Sequence, residues 1–292
     1  MKKTNILALA LAATMAACQA DKLNITAPDV NVNGGPIPES LTPTSARVRV
    51  LVSKQQGVKE VGVLYGLQTD RAAIITYGET ISTTEIKSEY FFDITDRESA
   101  TRYSYVAYAA LDNGEIAYSV VRDFTTIAAE LTVTPSRLSL DAPATSETLV
   151  IATTFDAWDF TGGTEAWLSC RATGNALVVE TLDNLTDARR VATLKFTAGS
   201  RSLNLAITQE PPTLELSSET AALPATGGTG QFTVDANVAP WSVASDEDWL
   251  TFSVAGNVVT FQAANSAGVT REARLTVTIG DNGVAKEFTV TQ

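Results

Sequence analysis

Histidine is absent from the chain, and its only cysteines are Cys18 and Cys170. Without imidazole there is no Ser-His-Asp or Cys-His relay and no His-ligated zinc, and two thiols are too few for a thiolate metal site. No metal, no cofactor and no enzymatic activity are expected. What remains able to recognise a ligand is aromatic surface beside carboxylates. All four tryptophans fall in two stretches, "WDFTGGTEAWLSCRATGN" (158–175) and "WSVASDEDWLTFSVAGN" (241–257). In the second, Asp246, Glu247 and Asp248 stand directly before Trp249; in the first, Glu165 stands just before Trp167. An indole face can stack on the apolar C–H side of a sugar ring while carboxylates accept from its hydroxyls. Trp167, Trp249, Asp246, Asp248 and Glu165 are therefore the carbohydrate-binding candidates.

The alternation of side chains along a strand separates the tryptophans into two classes. Trp158 shares a face with Phe160, and Trp241 with Val243, which makes them core anchors. Trp249 falls on the polar face with Thr251 and Ser253, opposite Leu250, Phe252 and Val254. Trp167 likewise falls with Ser169 and Arg171, opposite Leu168, Cys170 and Ala172. Two readings of this second pair stand side by side: an open sugar platform, or a lid folded over the end of the core. Cys170 reads as a small buried hydrophobe, and the acidic triplet as a solvated loop rather than a calcium site.

The elements that carry these residues recur. Trp158 aligns with Trp241, Trp167-Leu168 with Trp249-Leu250, and Gly174-Asn175 with Gly256-Asn257, about 82 residues apart each time. Asn184 then aligns with Asn265, Arg190-x-Ala192 with Arg271-x-Ala273, and Thr208-Gln209 with Thr291-Gln292. These are two copies of one domain, joined at Pro211-Pro212, where strand pairing cannot continue. The pattern "LPATGGTGQFTV…APW…DWL…GN…N…R…ARLTV…FTVTQ" is similar to the BACON domain, a module found in Bacteroidetes carbohydrate-degrading and surface proteins. The resemblance implies an immunoglobulin-like sandwich and an association with carbohydrate.

Upstream, short runs rich in Val, Thr, Ile and Tyr alternate between faces. Val48, Val50 and Val52 oppose Arg47, Arg49 and Leu51; Val61, Val63 and Tyr65 align, as do Tyr103, Tyr105 and Ala107 before a turn at Asp112-Asn113-Gly114. Asp281-Asn282-Gly283 has the same hairpin chemistry. No stretch shows a capped helical period. "TRYSYVAYA" with the closing "FTT" resembles a fibronectin type III-like module, in which Tyr103 would be the tyrosine-corner residue. Unlike most of that family, this module contains no Trp.

At the N-terminus, Lys2 and Lys3 precede an apolar run that ends in Met15-Ala16-Ala17-Cys18. This reads as a secretory signal and resembles a bacterial lipobox, which implies cleavage before Cys18 and acylation of its sulfur. Gln19 after the cysteine points to the outer membrane, and the stretch to residue 39, rich in Asn, Pro and Gly, to a tether. A net charge of −12 without any basic stripe excludes nucleic acid. The expectation is an all-β chain of three consecutive immunoglobulin-like β-sandwich domains: signal peptide 1–17, lipidated tether 18–39, fibronectin type III-like domain 40–127, and BACON-like domains 128–210 and 211–292. Its function would be non-catalytic binding or presentation of carbohydrate, as an outer-membrane lipoprotein exposed at the cell surface. The membrane would be met through the lipid anchor alone. The alternative is a structural spacer or adhesin subunit that holds a protein partner away from the membrane.

Overall fold

The computed structural model describes residues 31–281 and 283–292. Signal peptide 1–17, the lipidation candidate Cys18, tether residues 18–30 and Asn282 of the second hairpin turn lie outside the described residues. The described residues up to Glu130, with Thr154–Asp156, form one compact unit; Leu131–Thr153 and Ala157–Gln292 form another. The fold is all-β, built of immunoglobulin-like sandwiches.

The strands of the first unit are β1 (Val32–Pro36), β2 (Ala46–Val52), β3 (Val58–Gly66), β4 (Glu79–Thr83), β5 (Glu89–Ile94), β6 (Arg102–Leu111), β7 (Ile116–Tyr118) and β8 (Arg122–Thr125), with helix α1 (Arg71–Tyr77) before β4. A sheet β1-β2-β5 packs on a sheet β4-β3-β6-β7, whose β6 also pairs with β8. Val48, Val50, Val61, Val63, Tyr65, Tyr103, Tyr105 and Ala107 fill the space between them. The Tyr103 hydroxyl accepts from Glu98 N–H at 3.0 Å, the geometry of a tyrosine corner.

Two features depart from the sequence reading. Part of the segment read as tether is a strand: β1 pairs antiparallel with β2, and Gly34 lies where a Cβ would meet the Tyr105 ring at 3.4 Å. Its Asn-Gly-Gly-Pro composition reads as linker, yet small residues are what let this backbone approach an aromatic core. The second is α1. Asp70 caps it, accepting from Ala73 N–H at 3.0 Å, and Ile74 buries against Leu64, Val106 and Tyr108 on the outer face of the second sheet. Because α1 covers that face, β6 is buried on both sides from Tyr103 onward instead of alternating.

All seven tyrosines lie in this unit and all four tryptophans in the other. Burial, followed by the Glu79 carboxylate, pushes Tyr65 up to about 12. Burial also raises Tyr105, Tyr108 and Tyr118. An unfolded phenol ionises near 10, so the stability held by these neutral phenols is complete below about pH 10 and is lost as pH rises toward 12. Phenolate absorbance is expected to rise cooperatively in that window, as the first unit unfolds. A gradual rise, with these four phenols titrating near 10, would show them to be solvated.

The second unit holds two sandwiches of identical strand order. One contains β9 (Leu131–Thr134), β10 (Leu138–Leu140), β11 (Ser146–Thr153), β12 (Asp159–Gly162), β13 (Leu168–Thr173), β14 (Ala176–Thr181), β15 (Arg190–Ala198) and β16 (Arg201–Gln209). The other contains β17 (Leu214–Leu216), β18 (Thr220–Ala222), β19 (Gly228–Ala236), β20 (Trp241–Ser245), β21 (Leu250–Ala255), β22 (Val258–Ala263), β23 (Glu272–Ile279) and β24 (Ala285–Thr291). Sheets β13-β14-β11-β9 and β10-β16-β15-β12 in the former correspond to β21-β22-β19-β17 and β18-β24-β23-β20 in the latter. Even the parallel pairs recur, β10 with β16 and β18 with β24. The two sandwiches share buried residues. Ala142 of the former is fully buried in the core of the latter, and Leu185 packs against the same core.

Candidate functional site

Trp158 and Trp241 stand at the start of edge strands and are half-buried against their own cores. Trp158 tilts against Phe160 and Phe196 at centroid distances of 6.4 and 6.1 Å. Its Nε1–H donates to Gly174 O at 3.1 Å.

Trp167 and Trp249 are also half-buried and packed against the core clusters. In both copies an arginine lies over the ring. Arg190 Cζ is 4.6 Å from the Trp167 centroid, and Arg271 Cζ is 4.1 Å from that of Trp249. At these distances each pair is a cation–π contact worth about 0.5–2 kcal/mol. A glutamine at the end of the last strand fixes each guanidinium. Arg190 Nε and Nη2 both donate to Gln209 Oε1, at 2.9 and 2.7 Å, and Nη2 also donates to Leu182 O. Arg271 repeats the arrangement on Gln292 Oε1, at 2.8 and 2.6 Å, and on Ala264 O. The glutamine amides then donate to backbone carbonyls, Gln209 to Ala142 and Leu182, Gln292 to Pro224 and Ala264. Burial pulls the Arg190 guanidinium below its ordinary value, against the opposing charge of Asp183.

The carboxylates of the candidate site are not gathered around the rings as a set. Asp246 Oδ1 accepts from Arg274 N–H at 2.6 Å and so caps a strand backbone, while Glu247 and Asp248 are exposed. Glu165 is half-buried, and its Oε2 is buried without a hydrogen-bond partner. Its charge, after burial, raises the Cys170 thiol. Asn184 and Asn265 turn the chain ahead of the arginine strands: each Oδ1 accepts from the backbone N–H two residues on, at 3.2 and 2.7 Å. Arg190, Arg271, Gln209 and Gln292 are visible in the sequence as repeat-aligned residues. Nothing local ties them to the tryptophans, because the contact is made only by tertiary pairing.

The repeated residues fall in two segments that match one family model. Residues 156–210 and 239–292 match the family model BACON, described as "Putative binding domain, N-terminal". The two segments are BACON domains. No curated protein matches the chain. Among solved structures it is similar to a tandem of titin domains, 11% identical, with a TM-score of 0.48, covering 89% of this chain and 98% of that one. It is also similar to the three N-terminal domains of the bacteriophage RB49 highly immunogenic outer capsid protein, 12% identical, with a TM-score of 0.35, covering 90% of this chain and 95% of that one. An endo-fucoidan hydrolase from glycoside hydrolase family 107 is 13% identical, with a TM-score of 0.29, and the match covers 89% of this chain and 44% of that one.

Proposed function

We propose that the chain is a non-catalytic, lipid-anchored envelope protein whose BACON domains bind or present carbohydrate at the cell surface, organised as a tether, a fibronectin type III-like domain and two BACON domains. The observation that carries this reading is the double match to a family of binding domains, within which the tryptophan, arginine and glutamine recur as one unit. The geometry modifies where a sugar would sit. A guanidinium covers one face of Trp167 and of Trp249, so these rings serve the fold first. The exposed carboxylates of Glu247 and Asp248 offer acceptors at the rim.

A glycan panel applied to the full chain tests this, with acrylamide quenching of tryptophan emission as the second readout. Carbohydrate association expects at least one glycan to bind, and Asp248→Ala to weaken that binding more than Trp249→Phe does. If nothing binds and all four indoles resist quenching, the protein is a spacer or adhesin subunit. That second reading is favoured by one specific observation: the two sandwiches share core residues, which makes a stiff tandem.

A further inference from the structure

The two BACON domains differ at the edge between their sheets, where β12 and β13 are the edge strands in one domain and β20 and β21 in the other. In the first domain an indole bridges this edge. The hydrogen bond from Trp158 to Gly174 O carries an indole from one sheet to the hairpin of the other. The inward positions of β13 hold the small residues Cys170 and Ala172, opposite Val179 and Leu177, and Arg171 places a charge on the strand.

In the second domain the same inward positions hold Phe252 and Val254, register partners of the buried Phe261 and Val259. They point toward the core, yet they remain 37% and 47% exposed. On the edge strand of the facing sheet, Trp241 and Val243 pair with the buried Ile279 and Val277 and are themselves only half-buried. Four apolar side chains thus line an open mouth. Proteins ordinarily guard such an edge with charge, proline or a bulge. Neither β20 ("WSVAS") nor β21 ("LTFSVA") carries a charged residue. Pro240, directly before β20, removes an amide from that side, so β21 is the better template of the two. At one end of the mouth, the loop between the two strands exposes Glu247 and Asp248.

We propose that this edge of the C-terminal BACON domain takes up an extended peptide from a protein partner, added as a strand along β21. Alternate apolar side chains of the peptide enter between Phe252 and Val254 on one side and Trp241 and Val243 on the other, and a basic terminal residue meets Glu247 and Asp248. Strand addition supplies affinity through the main chain and specificity through alternate side chains. A saccharide would leave the backbone edge of β21 unpaired and would meet valines where it needs polar partners. The assignment goes beyond the carbohydrate reading and stands without it.

The test uses the full chain and a panel of end-blocked heptapeptides that alternate Thr with Val, Ile or Phe and end in Lys, against the same panel ending in Glu. Amide hydrogen exchange across Thr251–Ala255 and tryptophan emission are recorded together. The Lys-ending peptides are expected to slow exchange along β21 and to bind at least about ten-fold more tightly than the Glu-ending ones, a ratio set by the two acidic residues. Val254→Lys, at an exposed position that tolerates charge, should abolish binding, while Ala172→Lys in the first BACON domain should leave it unchanged. Unaltered thermal unfolding of both variants is the folding control. The proposal is overturned if no peptide slows exchange, if Ala172→Lys acts like Val254→Lys, or if a glycan alters tryptophan emission where the peptides do not.

Discussion

Gln209→Ala is expected to lower the stability of the second unit by about 3 kcal/mol, because it strips a charged hydrogen bond from Arg190 and takes one of two donors from the buried carbonyls of Ala142 and Leu182. Gln209 is fully buried, and its amide oxygen is the acceptor for two guanidinium nitrogens while its nitrogen reaches Ala142 O and Leu182 O. Arg190 would then hold its charge over Trp167 with only the Leu182 carbonyl as partner. Gln292→Ala removes the same set of bonds in the other BACON domain, but Gln292 is only half-buried. Water can replace its partners there, and the expected loss is about 1 kcal/mol. Urea unfolding followed by tryptophan emission reads both, since every tryptophan is in the second unit. Equal losses at the two positions would mean that burial is not what gives this network its strength. No loss at Gln209 would mean that the arginine is held by the indole alone.

The contrast between these glutamines marks how far the sequence can be read. The alternation in β2 put Val48, Val50 and Val52 inward directly, because each side chain faces the core or water by its own position. The same rule misleads on β6, where seven residues some distance upstream fold as α1 and cover the other face. A helix that short shows no period to detect, and its Asp70 cap looks like any turn residue. For the candidate site, the strand period placed Trp158 and Trp241 on the core side and separated them from Trp167 and Trp249. It could not show that the polar side of the second pair is covered by Arg190 and Arg271, because those residues arrive from another strand. Recurrence was the available signal: a Trp, an Arg and a Gln that repeat in the same order 81 to 83 residues apart are a contact set before they are a ligand set.

Gly280→Val is expected to uncouple the two BACON domains and to split one unfolding transition into two. Gly280 sits at φ +64°, and a Cβ there would lie 2.8 Å from Leu185 O and 3.1 Å from Leu185 Cβ. Positive φ alone costs a branched residue about 1–2 kcal/mol, and displacing the Leu185 loop adds about 1–3 kcal/mol. That loop cannot yield freely. Fully buried Asn184 donates through its side-chain amide to Ala188 O and Glu210 O, both at 2.9 Å, and its N–H reaches Ala142 O at 2.8 Å. The substitution therefore strains the residues that the first BACON domain contributes to the core of the second, Ala142 and Leu185. Leu185→Ala, which trims the other side of the same contact, should act in the same direction with a smaller effect. Tryptophan emission in Trp→Phe backgrounds assigns each transition, with Trp158 and Trp167 reporting one domain and Trp241 and Trp249 the other. A single transition shifted to lower urea would show that the domains remain coupled through the Pro211-Pro212 linker alone. Two separated transitions would make the Leu185 contact the hinge pin that turns a pair of sandwiches into one rigid arm.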